Sequence, residues 1–585
     1  MDIADLAGFD AGSCFETDLV VIGGGPAGLT VAREFIGTSP RVLVLESGEL
    51  EQTSGHAALA ELESIGEPKT DQQIRKRTVS HGESASNWSH EIQPFGLRCR
   101  ALGGSTHAWA GKSAAFDAID FDERPWVAFS GWPICRASLD GYLDRAAEVL
   151  NLGPNVYDDR LWDLIGIRRP EPSFDQDGLR SFFWQFARSR LDPLDIMRFG
   201  REFVTLKAEN VRVLLNATVT GIELTPDGRS FQGLEMSTVT GVRHRVKARS
   251  AVLAASAIEN ARLLLASNRV HHGGIGNTYD LVGRFLMDHA VSRIAAFRRE
   301  DISRVLKRFG FYGVRHDGRT QMYMHGLALT PDIQEREQLL NAAIYFMPQR
   351  SPDDPWDALK RLLRRNSEQP LQDIRSLMTG AGLLATGSGT KLLTSNVMPD
   401  HVRKFIVETA IRYFPNFVVE EFQDRGVPHK LTEIAIDAIS EQRPDRESRI
   451  TLSERIDSLG VPIARADWRI NDDERRTILR IAQIAQTALT HGGLPTPILD
   501  PWVADQRIGE GVIIDFGHTL GTTRMSNDPK SGVVDADCRV HDVRGLYVAG
   551  GSVFPTSGHA NPTLMILALA IRLADRIKQT LMHET

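Results

Sequence analysis

Three glycines and a carboxylate carry the first chemical signal in the chain. Gly23, Gly25 and Gly28 are spaced as in a dinucleotide-binding turn, and Glu46 follows 18 residues after the last of them. Gly23 would permit a tight turn, Gly25 would let a pyrophosphate approach the backbone, and Gly28 would let a helix pack closely on a strand. Glu46 is placed to accept hydrogen bonds from a ribose hydroxyl. A second glycine pair opens Gly103-Gly104-Ser105-Thr106, which offers backbone N–H groups and hydroxyls to something close and flat or anionic. Near the C-terminus, Asn561-Pro562-Thr563 precedes the apolar run from Leu564 to Leu573 and reads as a helix start, with Asn as cap and Pro in the first turn. His518 and His559 lie in the same region. By residue type alone, a lone histidine is more often a satisfied polar group than a base.

The elements that must hold these residues are clearest around the first glycines. Leu19 to Ile22 reads as a buried strand, Leu29 to Ile36 has helical periodicity, Gly37 to Pro40 breaks it, and Val42 to Leu45 is a second buried strand ending on Glu46. That is a βαβ unit. Further on, Val211 to Leu224 reads as strands, and Ser250 to Ala255 as a short strand feeding a helix from Ile258 to Ser267. Leu546 to Gly551 rebuilds a last strand, whose Gly551-Ser552 turn would come close to phosphates. A helix from Ala137 to Val149 carries Leu139, Tyr142, Leu143, Ala146 and Leu150 on one face. The aromatics Trp162, Phe174, Phe182, Phe183, Trp184 and Phe186 read as a core cluster rather than a cleft lining. Trp356 to Arg365 and Phe405 to Phe417 are amphipathic, and read as solvated helices of a lid more readily than as a membrane contact. Glu441 to Asp472 reads as strands of a substrate-domain sheet with a turn at Ser458-Leu459-Gly460.

Bulk properties bound the rest. A chain of 585 residues, 42 % apolar and 24 % charged, is an ordinary globular composition with room for two to four domains. A net charge of -7 with scattered basic residues argues against nucleic acid as a partner. The four cysteines, Cys14, Cys99, Cys135 and Cys538, are too far apart for local metal or iron–sulfur signatures and read as reduced thiols. Residues 1–18 show no signal-peptide pattern, and no apolar run is long enough to cross a membrane, so a cytoplasmic location is expected.

Taken together, GGGPAG at the first turn, GGSTHAW from Gly103, HTLGTTRM from His518 and ANPTL from Ala560 resemble the glucose–methanol–choline (GMC) flavoprotein oxidoreductases. SGWPI at 130–134, ENARLLL at 259–265 and SRITL at 448–452 are similar to the bacterial branch acting on sugars and glycosides, related to pyranose oxidases. The resemblance implies FAD, a choice the glycines alone leave open against NAD. It implies that His518 is the base, that Asn561 is its partner with His559 in reserve, and that Val219 meets the adenine. Gly103, Gly104, Ser105, Thr106, His107, Gly551, Ser552, Asn561, Pro562 and Thr563 would then belong to the cofactor site. Members with covalently held FAD carry His at the sixth position of GGxxxH. Here that position is Ala108, the histidine is His107, and Trp109 replaces a family Asn, so non-covalent FAD is expected.

The expected architecture is therefore mixed α/β, with a discontinuous Rossmann-like FAD domain at 15–125, 205–300 and 505–585. A substrate domain with an antiparallel-rich sheet would take 126–204 and 301–504, including a lid within 300–430. The expected activity is oxidation of the C3 or C2 hydroxyl of a sugar or glycoside, with hydride passing to the flavin. Oxidation of another alcohol, such as an amino-sugar primary hydroxyl or a polycyclic alcohol, and a non-redox lyase on the same fold are the alternatives. The electron acceptor, whether O2, a quinone or a partner protein, is not legible.

Overall fold

In the computed structural model, the described residues are 2–583 except 83–84, 86–87, 171–172, 193–194, 364–366, 368 and most of 386–428. The stretch from Phe405 to Phe417 falls almost entirely outside them.

The first sheet is built on the βαβ unit. Cys14–Ile22 and Val42–Leu45 are parallel neighbours joined by the helix Pro26–Glu34, as the periodicity predicts. Their inner residues are fully buried, because a parallel sheet covered on both faces needs continuous apolar runs rather than alternation. Val211–Leu215 and then Asp2–Asp5 extend the sheet on one side, and Arg243–Leu253 pairs parallel to Cys14–Ile22 on the other. Only the end of that last strand was expected from the sequence. Its polar N-terminal half, Arg243–Lys247, pairs antiparallel with Phe231–Ser237, so it lies in a solvent-facing ribbon that alternates exposed and buried residues. Leu546–Val548 closes on Ala251–Leu253, bringing the C-terminal segment back to the glycine turn.

The second sheet is antiparallel and runs Ile498–Leu499, Ala290–Phe297, Leu431–Ser440, Ala342–Arg350, Arg319–Leu329, Leu179–Phe186, Lys112–Ser113. The chain thus enters it earlier than the expected boundaries: Lys112 and Ala290 lie before residues 126 and 301, yet both pair into this sheet. Strand partners far away in sequence decide that assignment, and no local pattern reports them. The helix Asp472–His491 covers one face, packing Ile478, Ile481, Ala485 and Leu489 into the core. A third, small sheet corrects another expectation. Arg449–Ile456 pairs with Pro462–Asp467 around the turn at Gly460, and Pro462–Asp467 pairs with Leu62–Ser64, so these strands are not part of the second sheet. The aromatics at 162–184 are core, with Trp162 and Phe183 in one cluster and Phe182 and Trp184 in the main one.

Candidate active site

The glycines fall into the roles their spacing predicts. Gly23 has φ +106°, and a Cβ there would lie 2.6 Å from the Ala254 carbonyl oxygen. A Cβ on Gly28 would sit 2.0 Å from the Gly23 carbonyl oxygen. Gly25, the N-cap of the helix Pro26–Glu34, has no side-chain cap, and its Cβ would meet only the Gly104 Cα, at 4.0 Å. The helix N-terminus therefore opens on free space, and its uncapped N–H groups suit a pyrophosphate.

That space is a cavity of about 400 Å³. Its wall includes Gly23, Gly25, Glu46, Gly104, Ser105, Thr106, Val219, Gly551, Pro562 and Thr563, and at its other end His518 and Asn561. Gly28, Gly103, His107, Ser552 and His559 stand behind or beside the wall. The Ser552 hydroxyl accepts from Asn260 Nδ2 (3.0 Å). His107 turns its Nε2 to the Leu102 carbonyl (2.9 Å) and its Nδ1 toward Glu51 (3.5 Å), and Ala108 lines the cavity in its place. The Ser105 and Thr106 hydroxyls donate to the Leu97 and Gly103 carbonyls, so they brace the turn. Trp109 lines the wall with its Nε1 donating to the Met197 carbonyl (2.7 Å). A larger open groove of about 870 Å³ lies on the outer part of the first sheet, but its Arg and Glu side chains largely pair with each other.

Glu46, expected from the sequence to accept from a ribose, also has a bracing contact in the structure. Its two carboxylate oxygens accept from Gly24 N–H (2.9 Å) and Gly48 N–H (2.8 Å), so it braces the glycine turn while lining the cavity. Burial, the largest influence, raises its pKa against these two hydrogen bonds.

The other end of the cavity carries the proton chemistry. The segments around Met287 and Leu520 form an antiparallel bridge, and this register sets His289 opposite His518. His289 Nε2 lies 3.1 Å from the Ser557 carbonyl, which can only accept, so Nε2 carries the hydrogen. Burial lowers the His289 pKa to about 4, so the ring is neutral and its Nδ1 is bare. His518 Nδ1, 2.8 Å away, must then be the donor. His518 is also held neutral, its pKa pushed well below 6.5, first by burial and then by His289, Lys112 and His81. Its Nε2 therefore carries the lone pair and accepts a long hydrogen bond from Asn561 Nδ2 (3.4 Å). Asp288 fixes both strands, its Oδ1 accepting from His289 N–H (2.7 Å) and Phe516 N–H (2.9 Å).

Sequence reasoning gave His289 no role, because its partner is 229 residues away and one buried histidine carries no local signal. Asn561 corrects the capping expectation. The helix runs Thr563–His583, Ile566 N–H bonds to the Pro562 carbonyl, and Asn561 Oδ1 is buried without a partner. His559 is fully buried, edge-on to Phe182, with its Nδ1 3.8 Å from Asp117 and its pKa lowered by burial to about 3.

A dinucleotide cradle ending on a neutral imidazole defines a flavin-dependent alcohol oxidoreductase. Residues 18–370 match the FAD dependent oxidoreductase family and residues 444–570 the GMC oxidoreductase family. The chain belongs to the GMC family of FAD-dependent oxidoreductases, and FAD is its cofactor. Relatives include 2-methyl-1,2-propanediol dehydrogenase of Mycolicibacterium austroafricanum, 25 % identical over 97 % of this chain and 96 % of that one. Paromamine 6'-oxidase of Streptomyces fradiae is 23 % identical over 96 % and 91 %. C-glycoside 3-oxidase of Arthrobacter globiformis is 32 % identical over 23 % and 25 %. Among solved structures, formate oxidase of Aspergillus oryzae covers 98 % of this chain and 99 % of its own at 18 % identity and TM-score 0.53, a likeness of fold. No helix among the described residues is long and apolar enough to cross a membrane.

Proposed function

We propose that the protein oxidises a secondary hydroxyl of a sugar or glycoside, the ring C3 or C2 position, to a ketone. The observation that carries this reading is the fixed tautomer of His518, whose unprotonated Nε2 lies at the cavity end in a long hydrogen bond from Asn561 Nδ2 that an alcohol can replace. FAD, when bound, accepts the hydride. His518 Nε2 takes the hydroxyl proton, and the proton on Nδ1 stays shared with His289. Asn561 Nδ2 donates to the alcohol oxygen and orients it. Buried apolar walls exclude water, which keeps the imidazole neutral and the proton transfer directed. Pro562 and Thr563 line the cavity at the start of the last helix, whose positive end would favour negative charge on a cofactor held there. The cofactor is held without a covalent link, since Ala108 occupies the wall position from which a linking side chain would reach.

The sugar class is supported by the C-glycoside 3-oxidase likeness. Oxidation of an amino-sugar primary hydroxyl is the second reading, favoured by the longer match to paromamine 6'-oxidase. Anaerobic mixing of the holoprotein with a panel of glycosides and amino sugars tests both. Bleaching of the flavin by methyl glucosides with formation of a ketone is the expected result. Bleaching only by diols or amino sugars would overturn the secondary-hydroxyl reading.

A further inference from the structure

Among the described residues, Lys112 is the one cation of the second sheet that lines the cavity. It follows Gly111, whose φ of +72° bends the chain out of the first sheet's loop, and it pairs opposite Phe186 at the edge of the substrate sheet. Its Nζ lies 4.1 Å from the Trp184 ring and 4.0 Å from the Tyr345 ring. Both rings are buried, and Gly326 leaves the room that Trp184 fills, since a Cβ there would lie 2.5 Å from the indole. The two rings hold the ammonium by its charge but accept none of its N–H groups in the ordinary way. Among the described residues it has no hydrogen bond and no ion pair within contact distance, Asp437 acting on it only from further off, and the side chain is partly buried. A desolvated ammonium in that state requires an acceptor, and the open side is the cavity that His518 ends.

We propose that Lys112 is a substrate-recognition residue: its ammonium takes an acceptor oxygen of the sugar beside the hydroxyl that His518 deprotonates, selecting neutral and acidic sugars over amino sugars. The inference rests on the sugar reading above and sharpens its substrate class. The charged and titratable groups around Lys112 agree with it. Asp437 lies across the sheet between Arg293 and Tyr345, and Lys76 approaches from the helix Asp71–Gly82. Arg293 is paired to Glu433 at 2.8 Å, while His518 and His559 are neutral and Tyr345 stays protonated. Lys76 faces both Asp437 and Asp500, and Asp437 attracts Lys112 from a distance without bonding to it, so the ammonium keeps its donors for the cavity. Burial lowers the Lys112 pKa to about 7, so the ammonium persists below neutrality and fades above it.

The test is anaerobic flavin reduction of the holoprotein by methyl glucoside, glucuronate and glucosamine at pH 6 and pH 8.5. Wild type, Lys112→Met and Lys112→Arg are compared, and apparent Kd and limiting rate are read separately. In the wild type at pH 6, glucuronate should bind most tightly and glucosamine least, with the gap narrowing at pH 8.5. Lys112→Met should weaken glucuronate by tenfold or more, the scale of one charge-assisted hydrogen bond, and abolish the pH effect. Lys112→Arg should keep the order. An unchanged order in Lys112→Met overturns the proposal. Where no sugar bleaches the flavin, the sugar reading fails and Lys112 is read by acetate and ethylammonium, monitored through shifts of the oxidised flavin spectrum. Preference of the wild type for acetate, lost in Lys112→Met, upholds the role, and equal binding overturns it.

Discussion

The two ends of the cavity are made in different ways. At the end lined by the glycine turns the contacts are largely backbone from short stretches, Gly23 to Ala27 and Gly104 to Thr106, with the Glu46 carboxylate as a side-chain exception. At the substrate end they are side chains from strands far apart, with His518 wired to His289, Lys112 set against Trp184 and Tyr345, and Asn561 brought up by the last helix. A surface made of backbone tolerates change only where glycine is kept. A surface made of side chains changes its chemistry one residue at a time, which fits a family that keeps one cofactor and varies its alcohols.

The sharpest way to separate the ends is His518→Ala. The variant should retain FAD and slow flavin reduction by roughly 100-fold to 10,000-fold, the usual worth of a general base. Stopped-flow reduction checks it, and a wild-type rate would move the base elsewhere. In the wild type the acid limb of the reductive rate should lie well below pH 6.5, since burial and neighbouring cations depress the His518 pKa.

Acid should then act on the substrate side. His289, His325 and His559 are buried neutral, with pKa lowered to about 4, 3 and 3, all first by burial. Because the unfolded chain takes up these protons near pH 6.5, stability is fully present above that pH. It should fall by about 1.4 kcal/mol per pH unit for each imidazole as pH drops toward 4. Denaturant melts at pH 7.5, 6 and 5 measure this, and a flat profile would mean that the rings are charged in the folded state.

Glu46→Ala probes the nucleotide end. It removes the acceptor of the Gly24 and Gly48 N–H groups and the acceptor expected for a ribose hydroxyl, so FAD affinity should fall by about 1.5 to 3 kcal/mol for each charged hydrogen bond lost. Fluorescence of released FAD on dilution reports it, and unchanged affinity would make Glu46 dispensable. His289→Leu should have the smallest effect. By freeing the His518 tautomer it should slow reduction on the order of tenfold, leave FAD affinity unchanged and shift the acid limb. An unchanged pH profile would reduce His289 to packing.

What the sequence determined follows from locality. The glycine turn, its flanking strands and the family motifs at His518 and Asn561 are contiguous patterns, because each answers to backbone sterics or to an apolar run. Membership of the second sheet was not legible, since pairing of Lys112–Ser113 with Leu179–Phe186 and of Ala290–Phe297 with Leu431–Ser440 depends on partners many residues away. The same reason hid His289, the bracing role of Glu46 and the unpaired donors of Lys112. Each is set by which atoms tertiary folding leaves paired or unpaired. The tautomer of His518 is the clearest case: its proton position is dictated by the Ser557 carbonyl through His289, a chain of contacts that exists only once the second sheet closes against the first.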